Sequence, residues 1–254
     1  MKRIVLISIV LTMSTGVATG AEIQSVHVFV ALCDNENQGI VPVSKKLGNG
    51  ENPEENLYWG AMYGVKTFLA KDPKWKIVRT HDRFNEIILE RVVFRHQHRR
   101  AYMVADAYRG NRIKQAVAGF LKAAAGKNAD TVKAGGTEVA IHGGADLLVY
   151  VGHNGLMDFN ISEHSPPNEN AGKNVIVLAC KSKSYFLTRL SRWGCRSVLL
   201  TNGFMAPEAY TLLAAVEGWL IGESASRIRS RAAQAYHQYQ QCGLKAAWRL
   251  FYAE

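Results

Sequence analysis

A histidine and a cysteine each close an apolar run and open a polar, glycine-bearing or serine-bearing turn, in Val151-Gly152-His153-Asn154-Gly155 and Leu178-Ala179-Cys180-Lys181-Ser182. A thiol is a nucleophile in its thiolate form, and a nearby imidazole can take its proton. His153 is therefore the candidate proton-transfer residue and Cys180 the candidate nucleophile. Gly152 and Gly155 flank the histidine and allow a substrate backbone to come close. The backbone amides of Gly155 and Cys180 are candidates for an oxyanion hole, and a helix opening near Ser184 would turn its positive end toward the thiolate. The chemistry these groups describe is covalent acyl transfer.

Such a pair works only if the runs before it are neighbouring strands. Residues 146–152, 174–179 and 197–201 are mostly apolar without alternation, as in strands covered on both faces, and residues 26–33 repeat the pattern ahead of Asp34. If these strands run parallel, His153 and Cys180 leave the sheet at the same edge, where open α/β sheets bind ligands. Further strands are expected at 75–79, 87–94 and 101–105. Helices are expected from a cap at Asn56 through Leu69, over 113–127 and 184–193, from Pro207 to Gly222, and from Ser224 or Ser226 toward Gln241. The alternation predicts one α/β domain over residues 22–254, a three-layer sandwich with a mostly parallel sheet flanked by helices.

An apolar strand ending in His-Asn-Gly, followed by a polar loop and an apolar strand ending in Ala-Cys, resembles the cysteine peptidases of the caspase, legumain and gingipain group. The resemblance covers roughly residues 146–203 and implies a caspase-like fold, a thiol protease acting on a peptide or protein, and no cofactor. It also implies that the loops after the first strand and after the strand beyond the cysteine form the substrate pocket, with Asp34, Asn35, Thr201 and Asn202 in it and Asp34 a partner for a basic side chain. Three features depart from the pattern, the first being Asn154 between His153 and Gly155, where many relatives have glycine directly. Leu178 stands where caspases have Gln, and 27 residues separate His153 from Cys180, against about 50 in that family.

The rival reading is a non-catalytic exported α/β module that binds a ligand or protein, with Cys180 a structural thiol or joined to Cys33. Composition bounds both. With 254 residues, 48% of them hydrophobic, the chain can bury a full core. Lys2 and Arg3, the apolar run 4–13 and the small residues before Glu22 have the layout of a signal peptide spanning 1–21, so a periplasmic or secreted protein is expected, with no transmembrane segment in the mature chain. Export makes disulfides available, and Cys195 with Cys242 is the expected bridge. The net charge of +10 names no partner by itself. The Arg and His residues between Arg91 and Arg100, and Arg227, Arg229 and Arg231, lack an interleaved set of exposed aromatics, so no specific nucleic acid is expected and a solvated edge is the simpler account. His96 and His98 share a strand face without a completing ligand, so no metal is expected.

Overall fold

The computed structural model describes residues 22–162 and 172–254; the expected signal peptide and the Pro166-Pro167 segment lie outside them. In chain order the elements are β1 (Gln24–Ala31), α1 (Val65–Lys71), β2 (Trp75–Asp82), β3 (Ile88–His96), β4 (Ala101–Tyr108), α2 (Ile113–Ala124), β5 (Asp130–Ala134), β6 (Thr137–Ile141), β7 (Leu147–Val151) and β8 (Asn174–Leu178). They continue with α3 (Ser182–Arg192), β9 (Arg196–Thr201), α4 (Ala209–Leu220), α5 (Ala225–Gln240), α6 (Leu244–Leu250) and β10 (Phe251–Tyr252). Among the described residues eight strands form one sheet in the order β10, β9, β8, β7, β1, β4, β3, β2. Strands β4, β1, β7, β8 and β9 are mutually parallel, while β3 and β2 continue one side as an antiparallel ribbon and β10 closes the other.

The continuous apolarity of the central strands follows from helices on both faces. Val26, Val28 and Val30 of β1 join a core with α1, α4, α5 and α6, whereas Phe29 and Ala31 face α2 and α3. The period of two sends alternate side chains of one strand into two separate cores. Helices flanking both faces of a multi-stranded sheet are thus as expected.

Several local expectations need correction. Asn56 does not start a helix: its side chain accepts from the Cys33 amide at 3.0 Å and donates to the Cys33 carbonyl at 2.8 Å, and the chain turns through residues 57–64 before α1 begins. The hairpin β5–β6 was not anticipated, although Gly135 and Gly136, both with φ +55°, fit a two-residue hairpin turn. It packs Val132, Val139 and Ile141 onto β3 and β4. The basic segment is not wholly a solvated edge either. Arg91 is buried against Asp106, with Nε–Oδ1 2.6 Å and Nη2–Oδ2 2.7 Å, and His96 is buried 3.4 Å from Glu217, while Arg95, His98, Arg99 and Arg100 are exposed.

The expected Cys195–Cys242 bridge is absent. All four cysteines are free and no pair lies within disulfide reach. Cys195 is buried in the α2–α3 core, where its Sγ donates to the Ala124 carbonyl at 3.3 Å, whereas Cys242 is exposed after α5, a helix of the opposite face. The sheet stands between them. Cys33 and Cys180 are not joined either. Among the described residues no helix is long and apolar enough to cross a membrane.

Candidate functional site

The register of the parallel sheet governs the site. Val151 of β7 pairs with Leu178 of β8, so His153 and Cys180 each lie two residues past the same pair, at the carboxyl edge. Gly152 has φ +143°, and a Cβ there would stand 2.8 Å from the Ala31 carbonyl oxygen, so glycine is needed to turn the chain out of the sheet. The turn delivers His153, 7% exposed, with Nε2 2.7 Å from Asp158 Oδ2. Asp158 Oδ2 also accepts the Gly39 amide at 3.1 Å, which ties this turn to the loop after β1. No hydrogen bond to His153 Nδ1 is present among the described residues.

Asn154 is fully buried and bonds in both directions. Its Oδ1 accepts the Leu156 amide at 3.2 Å, and its Nδ2 donates to the Cys180 carbonyl at 2.7 Å, linking the histidine turn to the cysteine turn. Gly155 donates its amide to the His153 carbonyl at 3.0 Å, and a Cβ on it would run into Phe159 at 2.5 Å. Its hydrogen and its missing side chain therefore serve the turn.

Cys180 is partly exposed. Its Sγ lies 3.5 Å from the Met205 carbonyl oxygen and 3.4 Å from the Met205 amide. No hydrogen bond joins it to His153 among the described residues, although both side chains line one cleft of about 370 Å³. Lys181 follows in the left-handed region, φ 51°, its amide bonded to the Gly203 carbonyl at 2.7 Å, and α3 begins at the next residue. The Cys180 amide has no hydrogen bond among the described residues. The cleft is otherwise mainly apolar, lined by Ile40, Val41, Leu57, Tyr58, Met157 and residues 204–207, with Glu208 the acidic residue in its lining. No family model, curated protein or solved structure matches this chain. The site therefore has to be read from its own geometry.

The four expected pocket residues are placed elsewhere. Asp34 is buried and accepts the amides of Glu36 at 2.9 Å and Asn37 at 3.1 Å, and the Asn37 side chain at 2.9 Å, which shapes the turn after β1. Asn35 exchanges two hydrogen bonds with the Val43 backbone, at 2.8 and 3.0 Å. Thr201 is fully buried; it bonds the Ala179 carbonyl and accepts the Ser182 amide at 3.2 Å, so it braces the cysteine turn from behind. Asn202 fastens the carbonyls of Arg249 and Phe251 at 2.8 and 3.4 Å. None of the four lines the cleft.

The residues that do complete it were not singled out from sequence. Asp158, five positions past the histidine in a short loop, was the most accessible signal. Tyr58, Met205 and Glu208 lie on irregular segments that no periodicity marks. The other buried thiols are poor nucleophiles, because burial pushes Cys33 and Cys195 up to about 11. Among the described residues no cluster of three or more metal-ligating side chains occurs.

Proposed function

We propose that this protein is an exported, caspase-like cysteine peptidase in which Cys180 is the nucleophile and His153 the proton-transfer residue. The observation that carries the reading is the pairing of positions: an imidazole held by a carboxylate and a partly exposed thiol leave equivalent points of adjacent parallel strands and line one cleft. With Nε2 engaged by Asp158, Nδ1 is the nitrogen that exchanges the proton. The thiol proton passes to His153 and Sγ adds to the peptide carbonyl, with the Cys180 amide donating to the resulting oxyanion. The C–N bond then breaks as the imidazolium returns its proton to the leaving amine. Water, with His153 again taking a proton, hydrolyses the thioester and restores the thiol.

The contact of Sγ with Met205, in place of His153, favours the second reading, a binding module with a structural thiol. Iodoacetamide labelling of the native chain, mapped by mass spectrometry, separates them. Under the peptidase reading Cys180 is alkylated at least about tenfold faster than Cys33 and Cys195, and His153→Ala slows labelling at Cys180 but not at the exposed Cys242. A Cys180 rate insensitive to His153→Ala would leave the binding module as the better account.

A further inference from the structure

We infer that the cleft beside Cys180 is a recognition site for a cationic group carried on an apolar stem, an amidinium, guanidinium or ammonium, with the Glu208 carboxylate as its counter-ion. This goes beyond the acyl-transfer reading, since it needs the cleft and not the thiol.

Four observations converge on Glu208. It occupies the cap position before α4, yet its side chain makes no capping bond to that helix. One carboxylate oxygen, Oε2, takes both of its hydrogen bonds, from the Tyr210 hydroxyl at 2.8 Å and the Gln240 amide at 3.2 Å; both donors are neutral. No ion pair reaches it among the described residues, in a chain that carries 31 lysines and arginines against 21 acidic residues. Burial pushes its carboxyl above the usual carboxylate range, the mark of a charge whose lost hydration is incompletely replaced. A cation entering the cleft would replace it.

The rest of the lining agrees. Asp158 is committed to His153, and neither it nor Lys181, held over the Phe204 ring at 4.5 Å, is part of the lining. The walls offer Ile40, Leu57, Tyr58 and Met205 to an aliphatic or aryl stem. Desolvated surroundings strengthen a charge-assisted hydrogen bond, so the terminal charge supplies the discrimination and the stem supplies apolar burial.

Benzamidine and its neutral isostere benzamide test this on the full chain by isothermal titration. The expected result is that benzamidine binds, benzamide binds at least about tenfold more weakly, and Glu208→Gln brings benzamidine down to the benzamide level, on the scale of one charge-assisted hydrogen bond. Circular dichroism melting checks that the variant is folded. If it is not, protection of Cys180 from iodoacetamide by benzamidine but not by benzamide, in the unsubstituted protein, reports the same site. Equal affinity for the two probes, or benzamidine affinity unchanged in folded Glu208→Gln, would make Glu208 a brace for Tyr210 and Gln240 and overturn the inference. The two proposals fail separately: a reactive, His153-dependent Cys180 without amidine discrimination removes only this one, and amidine discrimination beside an inert Cys180 removes only the other.

Discussion

Two histidine–aspartate pairs occur among the described residues, and only one has chemistry left over. His27 of β1 lies fully buried, its Nε2 3.1 Å from Asp106 Oδ2 and its Nδ1 accepting the His142 amide at 3.0 Å. Because Nδ1 accepts an N–H, it carries no proton, and Nε2–H is the donor to Asp106. This agrees with burial holding the His27 pKa below its usual value; the charge partner of Asp106 is Arg91, and His27 contributes a neutral hydrogen bond. Every strong partner in that cluster is spoken for. His153 makes a similar bond to Asp158 but uses one ring nitrogen, at the carboxyl edge, with a thiol in the same cleft. The same residue pair serves as a clamp within the sheet in one place and as a candidate proton carrier at its rim in the other.

The largest effect that tests this contrast is on stability. Asp106→Asn keeps the size of the side chain but leaves the buried Arg91 guanidinium without a counter-charge, which typically costs about 3–5 kcal/mol. Asp158→Asn disturbs a pair whose carboxylate is 34% exposed and should cost under about 1 kcal/mol, while slowing alkylation of Cys180. Urea unfolding of both variants alongside the labelling assay gives the comparison. Equal losses of stability from the two substitutions would erase the distinction between clamp and carrier.

The central strands and the helices that follow them were legible because burial on two faces writes itself as nearly unbroken apolar runs. The edge position of His153 and Cys180 followed from the residues after those runs. What was not legible depended on cross-chain closure. Asp34 and Asn35 have the composition of pocket residues, yet they fold back onto the amides of Glu36 and Asn37 and the backbone of Val43, because short polar side chains at a strand end satisfy local backbone first. Arg91 looked like part of a charged ribbon because its partner Asp106 lies 15 residues away on an antiparallel neighbour, directly opposite in register. Cys195 and Cys242 seemed available to each other only so long as the sheet between them was unknown.

Acid sharpens the contrast next. Burial and the neighbouring His27 lower His142 to about 4, and His27 is lowered mainly by burial. Both therefore take up protons in the unfolded chain near pH 6.5 but resist doing so when folded, so their contribution is complete above about pH 6.5 and declines as pH falls toward 4. Burial alone would raise Asp106, but hydrogen bonds from Arg91 and His27 outweigh it and hold the carboxyl at about 2. Its contribution is complete above about pH 4 and is lost as pH falls through 2. Urea midpoints measured from pH 7 to 2 should decline in these two stages, and Asp106→Asn should remove the lower one. A midpoint independent of pH between 6.5 and 4 would mean that the clamp tolerates imidazolium and is not the closed neutral network described.

An intermediate loss, between those of Asp106→Asn and Asp158→Asn, is expected where the two turns of the cleft are joined. Asn154→Ala removes the 2.7 Å bond to the Cys180 carbonyl and the 3.2 Å bond from the Leu156 amide at a fully buried position, for an expected cost of about 1–3 kcal/mol, below that of Asp106→Asn. A purely structural role would end there. Under the acyl-transfer reading the same substitution loosens the spacing between His153 and Cys180, so alkylation of Cys180 becomes insensitive to a further His153→Ala change while Cys242 labels as before. If Asn154→Ala lowers the urea midpoint but leaves the His153 dependence of Cys180 labelling intact, the asparagine merely fastens two loops. The imidazole and thiol are then aligned by the β7–β8 register alone.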